Sequence, residues 1–156
     1  MHELADPCLV DAMWRAADLT RAYLAQNQAQ VEACLAGLDT SQLERVLTWL
    51  VLDHDDFIDR LGEPLMAVSA IDAVAALSPM ENEFATTAAV RRVAARETGL
   101  AVAMGELALP DRVHAVSVCT VVMALQALGR VRALEEVDAK AVTYERMGHP
   151  RPYPIT

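Results

Sequence analysis

The chain has 156 residues, a formal net charge of −9, and a composition that is 54% hydrophobic but only 4% aromatic. That length is one domain's worth and can bury a core of its own. The acidic balance excludes a protein that grips nucleic-acid backbones or anionic membranes, since both need a basic footprint.

Ala, Leu and Val supply the apolar excess, which favours close-packed helices over an aromatic-rich sheet. One lysine, Lys140, stands against twelve arginines, a bias of GC-rich bacterial genomes. Cys8, Cys34 and Cys119 are odd in number and each lies in an apolar helical context. They read as reduced, partly buried thiols of a cytoplasmic protein. The start, Met1-His2-Glu3-Leu4-Ala5-Asp6-Pro7, has neither the basic region nor the apolar run of a secretory leader.

Asp6-Pro7 places an N-cap before a proline at the first helical position, and the apolar pattern runs from there to Leu35, before Gly37. Ser41-Gln42-Leu43-Glu44 reads as a capping box opening a second helix that closes near Leu61-Gly62. Glu63-Pro64 starts a short third helix ending by Leu77. Ser78-Pro79-Met80-Glu81 combines a cap, a proline and a capping-box glutamate, and the fourth helix runs to about Thr98-Gly99. Leu100 to Leu109 is a short helix or an apolar connector. Pro110-Asp111 opens a fifth helix, and Gly129 divides it from a charged sixth over Arg130 to Met147.

The greasiest run, Val113 to Leu128, is shorter than a bilayer span and reads as the central core helix. No stretch alternates with period two between turn signals, so no strand is expected. The sequence therefore predicts an all-α, single-domain bundle of five to six helices over 1–147. An extended proline-containing tail follows over 148–156, where alternating prolines favour a polyproline-like path.

The most informative stretch is Asp53-His54-Asp55-Asp56-Phe57-Ile58-Asp59. At 100° per residue, Leu43, Leu47, Leu50, His54, Phe57 and Leu61 form the packed seam of that helix. His54 falls in the buried stripe, with Asp53 and Asp55 on opposite sides of it. Asp55 and Asp59 share one flank, while Asp56 faces away with Arg60 as an i,i+4 partner. Asp55-Asp56-Phe57-Ile58-Asp59 resembles the first metal motif of the all-α prenyl-diphosphate synthases and class I terpene cyclases. The resemblance implies carboxylates that hold Mg²⁺ against a diphosphate. It covers five residues, and the chain has no second Asp-rich motif and no Asn/Asp-x-x-Ser/Thr-x-x-x-Glu pattern, so no family membership follows.

Between residues 39 and 63, seven acids face two arginines, a local net charge of −5. Arg91, Arg92 and Arg96 on the fourth helix could neutralise that flank, or, left unpaired around a cavity, bind phosphate or carboxylate. His54 and His114 could meet in the core, or each could bond a neighbouring polar group. Cys119 follows His114 by five residues, a spacing that does not share a helix face well. Met13, Met66, Met80, Met104, Met123 and Met147 read as core filler.

No catalytic motif decides whether the protein is an enzyme, and no cofactor or metal is expected. Trp49 and Leu52 lie on the outer side of the second helix, and Tyr153 gives the tail a ring for anchoring. The leading expectation is an interaction or regulatory module, homodimeric or bound to another protein, with Trp49, Leu52 and Tyr153 at interfaces. The alternative is a small-molecule, metal or diphosphate site inside the bundle. Its candidate residues are His54, Asp55, Asp59 and His114, with Arg92 and Arg96 as anion ligands.

Overall fold

The structure, a computed structural model, describes residues 6–154. The expectation about a leader at residues 1–5, and the last two positions of the tail, lie outside it. The described residues form eight helices and no strand. In order they are α1 (Pro7–Leu24), α2 (Gln28–Leu35), α3 (Thr40–Leu61), α4 (Val68–Ala75), α5 (Met80–Ala94), α6 (Leu100–Gly105), α7 (Leu109–Leu128) and α8 (Arg130–Arg146). The count exceeds the five to six read from the sequence because the helix expected over 7–35 is broken in two, and because the 100–109 segment, left open as helix or connector, forms α6 beyond a second break after α5.

The first break divides the helix expected over 7–35. Asp6 caps α1 through the Cys8 amide, but Gln26 adopts a φ of +58° and the Asn27 amide bonds back to the Ala22 carbonyl at 2.9 Å. That 6→1 closure ends α1, and the Asn27 side chain then caps α2 through the Gln30 amide at 3.1 Å. Asparagine tolerates a cap that apolar periodicity cannot reveal.

α3 opens two residues earlier than the serine box suggested, with Asp39 as its N-cap. Asp39 accepts from the Gln42 amide while the Gln42 side chain accepts from the Asp39 amide, a reciprocal pair that satisfies two free donors. Gly62, with φ +78°, stops α3 as expected. The chain from 62 to 67 is not helical, so Pro64 does not open α4, which starts at Val68. Ser78 does not cap α5, because its hydroxyl is engaged by Tyr23 in the core, 2.8 Å away.

α7 is the hub. α1, α3, α4, α5, α6 and α8 all pack against it, and Val113, Val116, Val118, Val121, Val122 and Met123 are buried along its length. Beginning at Leu109 rather than Val113, it has 20 residues, enough by length and composition to cross a bilayer. It is the one such helix among the described residues, and six helices cover it. Around it, Trp14, Leu19, Tyr23, Leu24 and Ile71 are fully buried.

Beyond α8 the chain folds back on α1. The His149 carbonyl accepts from Trp14 Nε1 at 2.8 Å, Arg151 lies over the Trp14 ring, and the Tyr144 ring meets Trp14 edge-on. Two of the methionines expected in the core, Met80 and Met147, are exposed, as is Cys8.

Candidate functional site

α3 buries Val46, Leu50, His54 and Phe57, so the helical seam carries His54 into the core. Its Nδ1 lies 3.1 Å from Asp55 Oδ1, and its Nε2 faces Cys119 Sγ on α7 at 3.9 Å. On its other side Cys119 Sγ is 3.9 Å from Met66 Sδ, delivered by the 62–67 connector. The order Cys–His–Asp is that of a cysteine nucleophile with its base and orienting carboxylate. The electrostatics are opposite to what that chemistry needs. Burial, aided by the charge of Glu63, pushes the Cys119 thiol up to about 12, and only 1% of the residue is exposed in mid-helix. A protonated, enclosed thiol is no nucleophile at neutral pH. Reading Cys119 against His114 on its own helix missed this partner, which only the α3–α7 packing supplies.

The carboxylates around His54 go separate ways. Asp53 pairs with Lys140 of α8 at 3.1 Å, and Asp56 with Arg60 at 3.0 Å. Arg60 also reaches Glu136 at 3.8 Å. Asp55 and Asp59 are exposed, and among the described residues only His54 holds Asp55. Nor do the fourth-helix arginines neutralise this flank. Arg91 forms a bidentate pair with Asp72 of α4, and Arg92 pairs with Glu106 beyond α6 at 2.6 Å. The reason is topological: α3 and α5 each pack on α7, and α5 finds its partners in α4 and α6. Arg96 lies past the end of α5 with φ +60°, exposed. Among the described residues no three His, Cys, Asp or Glu side chains converge on a point where a metal could sit. The Asp55–Asp59 string therefore does not assemble a Mg²⁺ clamp by itself.

His114 is engaged elsewhere. Its Nδ1 is 2.7 Å from the Tyr23 hydroxyl, which is in turn 2.8 Å from Ser78 Oγ, a buried chain linking α7, α1 and the α4–α5 turn. Burial lowers its pKa to about 4, against the pull of Asp111 and Glu81. It is a neutral core histidine rather than a partner of His54.

The bundle holds an apolar hollow between α1, α3, α7 and α8, of about 310 Å³. Leu24, Phe57, Ala124 and Leu128 line it, and Asp53, Asp56, Arg60, Glu136 and Lys140 ring it. Neither His54, Asp55 nor Asp59 is among its walls.

The chain matches no family model, no curated protein and no solved structure.

The surface carries a feature the sequence reading passed over. The first half of α5 is inverted: Asn82 and Thr86 turn inward while Met80 is 88% and Phe84 86% exposed, and only the second half buries apolar residues, Ala89, Val90 and Val93. Asn82 is held by Asp111 at 2.8 Å, but the buried Thr86 hydroxyl has no partner among the described residues. A helix of a lone soluble subunit places its polar residues outside and its phenylalanine inside. The signal was present in the spacing of Met80, Phe84 and Ala88 on one face, opposite Asn82 and Thr86. Of the three residues expected at interfaces, Leu52 is exposed, Trp49 is half-buried against the core, and Tyr153 is half-buried on α1.

Proposed function

We propose that this chain is a cytoplasmic interaction module that works as a homodimer, its subunits meeting through α5. The observation that carries this is the inversion of α5, with Phe84 and Met80 outermost. Burying two such side chains stabilises by about 1.5–3 kcal/mol each, a gain that solvent exposure forfeits. α4 and α6, which both pack against α5, carry further exposed apolar side chains, Val68 and Val102, each more than half exposed.

Charge supports a second copy as the occupant. α5 has Glu81 and Glu83 in its first turn and Arg91 and Arg92 in its last. Two α5 helices laid antiparallel about a twofold axis oppose their dipoles favourably, and bring the acids of one copy near the arginines of the other, whose pairs with Asp72 and Glu106 are solvent-exposed and can be shared. The central small residue, Ala88, lets the two backbones approach.

Sedimentation equilibrium tests the reading. The wild-type chain is expected to run at twice its 17.0 kDa mass, and Phe84→Glu at the single mass with unchanged helix content. A wild-type monomer, or a Phe84→Glu variant that stays dimeric, refutes it.

The hollow between α1, α3, α7 and α8 supports a second reading, a small-molecule site. Its volume lies at the lower end of ligand pockets, and apolar walls under a charged rim suit a small amphiphile. Filling it with Ala124→Leu is expected to abolish any thermal stabilisation such a ligand confers.

A further inference from the structure

We infer that Cys119, His54 and Met66 form a binding site for a monovalent soft metal ion, Cu(I). Two different segments, α3 and the 62–67 connector, bring an imidazole and a thioether against the Cys119 thiol of α7. Cys119 Sγ is the shared vertex, 3.9 Å from His54 Nε2 and 3.9 Å from Met66 Sδ. Metal–sulfur and metal–imidazole bonds are about 2.3 and 2.0 Å long, and at 120° those lengths set ligand atoms on the order of 4 Å apart. Both separations from Cys119 thus match two edges of a three-coordinate site.

The surroundings are those of a metal histidine. A ligating imidazole usually has its far nitrogen held by a carboxylate, which fixes the ring and raises its basicity. Asp55 does this at His54 Nδ1, leaving Nε2 directed at Cys119. Cys119 is buried and Met66 half-buried, whereas Asp55, which holds His54, and Glu63, whose charge reaches Cys119, are exposed.

Ligand chemistry and charge select the ion. Thiolate and thioether sulfur prefer Cu(I), while Zn²⁺ and Mg²⁺ make poor use of a thioether. On binding, the Cys119 thiol releases its proton to solvent and the sulfur bonds the metal. One positive charge then meets the one thiolate charge among the ligands, with the Asp55 carboxylate outside them at the exposed end of His54. This inference is independent of the α5 dimer.

The test is an anaerobic titration of the full-length reduced protein with Cu(I) against bicinchoninate, whose colour reports the copper the protein leaves behind. The wild type is expected to withdraw one equivalent. Asp55→Asn is expected to weaken binding roughly 10–100-fold, Met66→Leu by at least about tenfold on loss of one ligand, and Cys8→Ser not at all. X-ray absorption of the loaded protein should show two sulfur ligands and one nitrogen. Should Cys119→Ser fail to fold, Met66→Leu, a volume-conserving change in the connector, carries the decision. No withdrawn copper, Met66→Leu and Asp55→Asn binding as tightly as the wild type, a sulfur-only coordination shell, or Zn²⁺ held as tightly as Cu(I) would each overturn the assignment.

Discussion

Asp18 and Arg151 form a bidentate ion pair, Nε to Oδ2 at 3.0 Å and Nη2 to Oδ1 at 2.8 Å, that ties the end of the chain to its first helix. The Tyr153 hydroxyl donates to the same carboxylate at 2.5 Å, and Arg15 lies over the Tyr153 ring, 3.9 Å from its centroid. Burial and Asp18 both push the Tyr153 phenol upward, so it remains a donor throughout the physiological range. Tyr153 is thus engaged within its own subunit.

Removing Arg151 leaves Asp18, 8% exposed, with one donor in place of three. Arg151→Ala is expected to lower stability by about 2 kcal/mol, since hydrogen bonds to buried charges outweigh exposed pairs. Urea unfolding measures it. A loss below about 0.5 kcal/mol, the level of a surface pair, would show that the tail is not anchored.

His114 should make the protein acid-labile. Its folded pKa of about 4 lies below the ordinary 6.5, so the unfolded chain takes up the proton first as pH falls. The stability it contributes is full above pH 6.5 and is lost on the way down to about 4, at most about 3 kcal/mol. His114→Gln should flatten the pH dependence of the urea midpoint in that window. A wild type and variant with parallel pH profiles would contradict this.

The three thiols should differ in reactivity. Cys8 is exposed, whereas Cys34 and Cys119 are buried and both pushed up to about 12. A disulfide reagent is expected to label one thiol in the native protein and three in denaturant. Rapid native labelling of Cys119 would show that the α3–α7 interface opens.

Thr86 offers the converse of a damaging mutation. Its hydroxyl is buried without a partner, so Thr86→Val removes a polar atom that nothing satisfies. Stability is expected to rise by about 1 kcal/mol. A fall would mean that the hydroxyl is in fact satisfied, for instance by a bound water.

What the sequence revealed were the features written in local chemistry. Gly62 and Gly129, with φ of +78° and +79°, end α3 and α7 where expected, and Pro110 lies in the first turn of α7. The 3.6-residue period put His54 inside and Asp56 beside Arg60. What it hid depends on packing. Nothing local to α7 tells that Cys119 looks across at His54 rather than along its own helix. Nothing local to Ser78 tells that its hydroxyl serves Tyr23 and leaves α5 uncapped. The inversion of α5 was hidden differently: its arginines drew the reading toward α3, although their partners are Asp72 and Glu106.

The dimer is tested most directly by asking whether two α5 helices meet. With Cys8→Ser removing the exposed thiol, Ala88→Cys places one reactive cysteine at the centre of the outer face of α5. A short bis-maleimide is expected to give a covalent dimer, and adding Phe84→Glu should abolish it. A cross-link yield that is negligible, or unchanged by Phe84→Glu, would contradict pairing through α5.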